Sequence, residues 1–353
     1  MKTIKDIARE ANTSPGTVDR VLHNREGVSQ KTRERIQTVL DKYDFQKNIL
    51  ASMLAFKKKH RIAVLIPEAQ SDKEFWYEPN RGVKTALKEI KKYGVTVTCF
   101  YFNQFNPQSF VDAFKKVVNF EPNAVLLSPI FYNNSIHLVG LLEEKDIPYA
   151  FINIDIEGQK NIAFIGQNSY QSGFLSGKIL NLIMAEEEEV LLIKSRKSID
   201  SHHAIDARVK GFLDYFKGKN SIRSIHFLNI ENFDITESIK CITKELENNQ
   251  IKGIFVPSSY VYKVAEILQK TNLNSVKLLG YDVHSENTKY LKKETIDFLI
   301  DQEPFEQGYT GIKILFEYLL FQEIPKKIYN SPINIITAEN LDFRENYFEN
   351  VLP

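Results

Sequence analysis

Along the first 61 residues the apolar positions recur at helical spacing. Ile4, Ile7, Ala8 and Ala11 follow the i, i+3, i+4, i+7 rule and so share one face of a helix. Thr3 and Asp6 fit a capping box at its start. Asn12 and Thr13 interrupt the pattern. Ser14 then suits an N-cap and Pro15 the first helical position, where its missing N–H leaves no bond unmade. The stretch "SPGTVDRVL" therefore opens a second helix. Val18, Val21 and Leu22 supply its buried face, and Thr17, Asp19 and Arg20 fall elsewhere on it. Ser29 caps a third helix, in which Ile36, Val39, Leu40 and Tyr43 repeat the spacing. Three short helices, the first two joined by a tight turn, predict a helix-turn-helix unit whose second helix is available to a DNA major groove.

From residue 61 the pattern changes. Short Val/Ile/Leu-rich runs ("IAVLIP", "VTVTCFYF", "AVLLSPI", "YAFINI", "NIAFIG", "VLLIKS", "SIHFLN", "GIFVPS", "VKLLGYD") alternate with amphipathic stretches such as "GVKTALKEIKKY" and "ESIKCITKELENN". Alternating strands and helices with apolar strands imply parallel sheets covered on both faces. The strands are too many for one compact doubly wound sheet, so two lobes are expected. The first lobe should end near residue 165, and the chain should return to it around residue 300. A further strand should end at Gln302, in "LIDQEPFEQG".

Between head and body lies "NILASMLAFKKKH". Asn48 can cap a short helix over 49–55 that is apolar nearly all round. So short a helix is not stable alone in water and needs a second copy or DNA beside it.

Charge sharpens this division. The net charge is only +1, yet residues 1–61 carry 14 Lys/Arg against 7 Asp/Glu, and the rest 32 against 38. A basic head on an acidic body points to a polyanion partner for the head. Two distant cysteines, Cys99 and Cys241, make neither a disulfide framework nor a zinc site. No stretch approaches the roughly 18 apolar residues of a membrane span, and the start lacks a signal-peptide pattern, so a cytoplasmic protein is expected. "GFLSGKI" lacks phosphate-loop spacing, and no HExxH, GxSxG or GxGxxG occurs. Nothing calls for an enzyme or a cofactor.

The stretch from "TIKDIA" through "TVDRVL" and "VSQKTRERI" to "FQKNILASMLA" resembles the DNA-binding head and hinge of the LacI/GalR family of bacterial transcription regulators. The resemblance implies that Thr17 and Arg20 contact DNA, with Arg20 able to pair with a guanine edge. Asp19 stands where the family commonly has Ser; it can accept from a cytosine amine or merely orient Arg20. Pro15 and Gly16 stand where other members carry base-reading side chains, so specificity must lean on Arg20, the hinge and DNA shape. In the hinge, Asn48 opens the helix, Ala51 matches the small residue at the close contact between subunits, and Leu54 matches a Leu wedge that unstacks a base step.

The body resembles the periplasmic-sugar-binding-protein-like core of the same family, more loosely. Ligands in such folds bind beyond the carboxyl ends of strands, here between the lobes. The resemblance implies an effector site of Phe75, Trp76, Asn168, Arg208, Asp282 and Gln302, with Asn153 or Asp155 as a further polar position. Basic residues in "KSRKSIDSHH" leave room for an acidic or phosphorylated sugar.

The sequence thus predicts a small all-α helix-turn-helix head (1–46), a hinge and linker (47–59), and a two-lobed α/β body (60–353) of doubly wound parallel sheets. Lobe 1 spans about 60–165 plus about 300–325, and lobe 2 about 166–299 plus the C-terminal segment. The expected protein is a homodimeric regulator, most simply a repressor, that binds a roughly palindromic operator under control of a sugar-like effector. No C-terminal heptad repeat favours a tetramer. The competing expectation is a solute-binding protein for sugar transport or chemoreception, which the helical head opposes.

Overall fold

In the computed structural model the described residues are 3–22, 26–43, 59–195, 203–219, 223–230, 235–248, 250–273 and 275–343. The expected hinge helix, with Asn48, Ala51 and Leu54, lies outside them.

Three helices form the head: α1 (Ile4–Glu10), α2 (Pro15–Leu22) and α3 (Gln30–Lys42). The capping box closes, with Thr3 N donating to Asp6 at 2.9 Å and Asp6 N donating to Thr3 Oγ1 at 3.3 Å. Asn12 adopts the left-handed region (φ 48°) that Asn tolerates better than most residues, and this turns the chain from α1 into α2. Ser14 Oγ accepts Thr17 N–H at 3.1 Å, so Ser14 caps the helix that Pro15 begins. Ile7, Ala8, Val18 and Ile36 meet in one small core.

The body contains β1 (His60–Pro67), α4 (Tyr77–Ile90), β2 (Val95–Phe102), α5 (Pro107–Asn119), β3 (Ala124–Leu127), α6 (Tyr132–Glu143), β4 (Tyr149–Ile152) and β5 (Ala163–Gly166). These are followed by α7 (Ser169–Ile183), β6 (Glu189–Ser195), α8 (His203–Gly218), β7 (Ile225–Ile230), α9 (Ile235–Asn248), β8 (Ile251–Phe255), α10 (Val261–Lys270) and β9 (Lys277–Tyr281). The chain then runs through α11 (Ser285–Leu291), β10 (Phe298–Asp301), α12 (Pro304–Phe321), β11 (Ile328–Asn330) and β12 (Asn334–Ile336).

Two six-stranded sheets result, ordered β11-β5-β4-β3-β1-β2 and β12-β10-β9-β8-β6-β7. All pairings are parallel except that of β12, which runs antiparallel to β10 at an edge. Side chains alternate across the second sheet as a two-residue period demands: Leu191 and Ile193 enter one core, Val190 and Leu192 the other. Both faces are therefore covered, as the apolar strands implied.

The chain passes between lobes three times, after β5, between β10 and α12, and between β11 and β12. Helix α12 packs on the first lobe through Ile312 and Leu315. The short strands β11 and β12 were not anticipated; β11 adds to the lobe 1 sheet and β12 to the lobe 2 sheet, so the chain crosses back to lobe 2 between them. One side chain ties the crossings together: Gln167 Nε2 donates to Asp301 O (3.0 Å) and to Pro332 O (2.8 Å). Among the described residues no helix is long and apolar enough to cross a membrane, and no three His, Cys, Asp or Glu side chains cluster as metal ligands.

Candidate functional site

In each sheet the strand order reverses at the strand next to one edge, β1 in one and β6 in the other, and ligands of doubly wound folds sit at such reversals. A cavity of about 410 Å³ lies there, between the lobes. It is within the range of small-molecule sites, roughly 300–1,000 Å³. Phe75, Trp76, Arg208, Asp282 and Gln302 line it together.

Arg208 is delivered by α8, which approaches α7 closely because both carry glycine at the contact. A Cβ on Gly173 would stand 1.9 Å from Arg208 O, and one on Gly211 would stand 2.0 Å from Tyr170 O. The guanidinium lies 4.0 Å over the Tyr281 ring, a cation–π arrangement in a desolvated place. Arg208 Nη1 donates to Pro257 O at 3.0 Å, and Nη2 donates to Gln302 Oε1. Gln302 Nε2 in turn donates to Asp282 Oδ1 at 2.6 Å, and Ser259 Oγ donates to Asp282 Oδ2. Arg208, Gln302 and Asp282 thus form one buried chain, with Gln302 on the crossing between β10 and α12.

Burial pushes the Asp282 carboxyl above its usual range, against the pull of Arg208, Ser259 and Gln302 toward the charged form. Its backbone is left-handed (φ 72°), a conformation that costs energy outside glycine and that clusters at functional positions. Asn287 holds it there, donating from Nδ2 to Tyr281 O and Asp282 O, each at 2.8 Å. His284 lies beside it. Its Nδ1 accepts Asn287 N–H at 3.4 Å, so Nε2 carries the proton and faces Ser259 O at 3.1 Å. Burial pushes this imidazole below its ordinary value.

On the lobe 1 side, Phe75 and Trp76 meet edge to face with centroids 5.0 Å apart. Contacts that span the cleft include an ion pair between Lys73 and Glu286, a ring contact of Tyr132 with His203 at 4.0 Å, and the packing of Ala204 on the lobe 1 core.

Asn168 stands apart from the other expected residues. It is exposed and not among the cavity-lining residues, and its Oδ1 accepts Gln171 N–H at 2.9 Å to cap α7. The geometry also separates the two alternatives after β4: Asn153, left-handed at φ 68°, lines the cavity, and Asp155 does not. Ser258, Ser259, His284, Ile130 and Ile154 line the cavity without having been anticipated. The two serines lie three and four residues after the end of β8, so the rule that found Asp282 after β9 would have reached them. Residues 196–202, most of the basic stretch before α8, lie outside the described residues.

In the head, Arg20 is exposed on α2 and Asp19 half-buried. Thr17 Oγ1 lies 2.9 Å from Ser14 Oγ, within the capping turn. Pro15 and Gly16 are exposed on the same helix. A Cβ on Gly27 (φ 89°) would come within 2.8 Å of Arg20 Nη1, so the guanidinium packs against that glycine.

Comparison with known proteins agrees with this division. Residues 3–48 match the family described as bacterial regulatory proteins, lacI family, and residues 62–323 match the periplasmic binding protein domain. The chain is 22% identical over 347 residues to the ribose operon repressor of Lactococcus lactis, covering 97% of this chain and 98% of that one. A candidate LacI transcriptional regulator from Bacteroides fragilis superposes with a TM-score of 0.76 at 26% identity, over 81% of this chain and 99% of that one. A glucose-galactose binding protein from Geobacillus stearothermophilus shares the fold, with a TM-score of 0.71 at 22% identity over 81% of this chain and 99% of that one. With a helix-turn-helix head joined to two lobes around a cleft, the chain belongs to the lacI family of bacterial regulatory proteins, its body is a periplasmic binding protein domain, and it is a DNA-binding transcriptional regulator.

Proposed function

We propose that the inter-lobe cleft binds a small, uncharged, sugar-like effector that controls the head's affinity for a roughly palindromic operator, and that the protein acts as a cytoplasmic homodimeric repressor. The observation that carries this reading is the buried Arg208–Gln302–Asp282 chain. A guanidinium and a carboxylate held at fixed geometry suit vicinal hydroxyls, which donate to one and accept from the other. The edge-to-face Phe75–Trp76 pair gives the opposite wall an aromatic surface for C–H groups. Among the described lining residues each cation already has a partner, Lys73 in Glu286 and Arg208 in Gln302 and Pro257. An uncharged ligand leaves those pairings intact. The relatives support the ligand class, since their names refer to a ribose operon and to glucose-galactose binding.

In this reading Thr17, Asp19 and Arg20 face DNA, and Asn48, Ala51 and Leu54 lie in a hinge helix that pairs with its partner's. Gln302 sits on the crossing between β10 and α12, so a ligand that reorganises the chain around it acts where the lobes move. The cleft binds and releases its ligand unchanged. Closure then alters how the first lobes of two subunits meet, and so couples effector to operator affinity. The test has two arms. Fluorescence of Trp76, the single tryptophan, should respond to an effector found by screening sugars for thermal shift. Asp282→Asn should abolish that response while operator binding by gel shift persists. A response that survives Asp282→Asn unchanged would remove Asp282 from the site.

A further inference from the structure

The buried side chains of the cleft are sorted by lobe. Those from lobe 1 are Trp76, Ile130 and Ile154, all apolar. Those from lobe 2 and the crossing after β10 are Arg208, Ser258, Asp282, His284 and Gln302, all polar. The polar groups that lobe 1 does contribute, Ser71, Lys73, Glu74, Gln104 and Asn153, are partly or fully exposed. Of these, Lys73 is held by Glu286 and Glu74 accepts the Gln70 amide at 3.0 Å. On the lobe 2 side, by contrast, Ser258 Oγ and Arg208 Nε are buried and have no hydrogen-bond partner among the described residues.

A ring with hydroxyls around its whole edge fits this cleft poorly. Its oxygens on the lobe 2 side find Ser258, Arg208 and Asp282. An oxygen pressed on Ile130 and Ile154 gives up its water and gains nothing, which is unfavourable, whereas a methyl or aryl group there gains by burial. We infer that the effector is a polyol of monosaccharide size with one apolar edge, the hydroxyls facing Arg208, Ser258 and Asp282 and the apolar edge facing Ile130 and Ile154. This rests on the sugar-like effector proposed above and narrows it. Two kinds of molecule share the chemistry: a 6-deoxyhexose, whose edge is a methyl group, and an alkyl or aryl glycoside, whose edge is its aglycone.

The full-length protein is titrated calorimetrically with matched pairs: L-rhamnose against L-mannose, D-fucose against D-galactose, and methyl and phenyl β-D-glucopyranoside against D-glucose. The expected result is that, in at least one pair, the substituted member binds about tenfold tighter than its parent, the order of a single unpaired buried hydroxyl. The pair that responds identifies the source, deoxy sugar or glycoside. In that pair Ile130→Asn should narrow or reverse the preference, and Ile130→Val should keep it. Parents that bind as tightly as their substituted partners, or tighter, overturn the apolar edge and leave the sugar-like effector standing. A protein that binds no member of any pair overturns the sugar-like effector itself, and this inference with it.

Discussion

Lys73 Nζ lies 2.6 Å from Glu286 Oε1, joining the loop after β1 in lobe 1 to the first turn of α11 in lobe 2. The two shifts agree in direction. The hydrogen bond to Glu286 raises the lysine, and the hydrogen bond from Lys73 lowers the carboxylate. A carboxylate in the first turn of a helix also meets the positive end of the helix dipole. The pair should bias the lobes toward closure, modestly, because both ends are partly exposed and salt screens them. Spin labels placed one on each lobe should report a longer distance in Lys73→Glu than in the native protein. The charge swap Lys73→Glu with Glu286→Lys should restore the native distance. Identical distances in all three proteins would show that the pair does not hold the lobes.

His284 should make the body less stable in mild acid. The free imidazole takes its proton near pH 6.5, and burial lowers that value in the folded chain. Between the two values the unfolded chain binds more protons, so stability is full above about pH 6.5 and falls as pH drops toward the folded value. Asp282 acts in the opposite sense, because its raised carboxyl weakens the fold as pH rises through the folded value. In thermal unfolding, the native protein should lose more Tm than His284→Asn when the pH falls from about 7 to about 5.5. Asn keeps an N-cap for α11 and removes the titration. Equal losses would show that His284 takes no part.

Gly173→Ala should destabilise the body by roughly 1–3 kcal/mol, because the new methyl meets backbone that has to move. The clashing atom is Arg208 O, so α8 and the Arg208 side chain should shift together. Gly218→Ala is the control: nothing lies within 4 Å of its Cβ, and its stability should hold or rise. Chemical denaturation of both variants distinguishes a packing clash from a general helix effect.

Arg20→Ala should weaken a specific operator by about 1–3 kcal/mol, as a lost bidentate base contact does, and affect random DNA much less. Equal losses on both would mean that Arg20 contacts phosphate only. Gly27→Ala should mimic part of this effect, since it strains a left-handed position and displaces the Arg20 guanidinium. Fluorescence anisotropy with both DNAs at one salt concentration measures each case.

Much of the candidate site was legible because the rule that finds it is local. Phe75 and Trp76 come after β1, Asp282 directly follows β9 and Gln302 directly follows β10, and doubly wound sheets gather such positions on one side. Asn168, expected in the site from the family resemblance, follows β5 and caps α7. An Asn before a helix reads the same whether it caps or binds, because both uses need the same amide. Ile130 and Ile154 were invisible as cleft residues, since apolar residues after apolar strands look like core.

By itself the sequence determined what depends on near neighbours: the capped helices of the head, the turn at Asn12, the strands and helices of the body and their parallel class. Side-chain period and capping are set within a few residues, so the pattern carries them. Tertiary structure alone decided what depends on distant partners. Strands β11 and β12 are three residues each, too short to show a period, and they exist because β5 and β10 offer them edges. The Lys73–Glu286 pair, the bridging of three crossings by Gln167, and the sorting of polar and apolar walls arise only once two sheets face each other. No local pattern encodes them, because their energies lie in contacts between segments hundreds of residues apart.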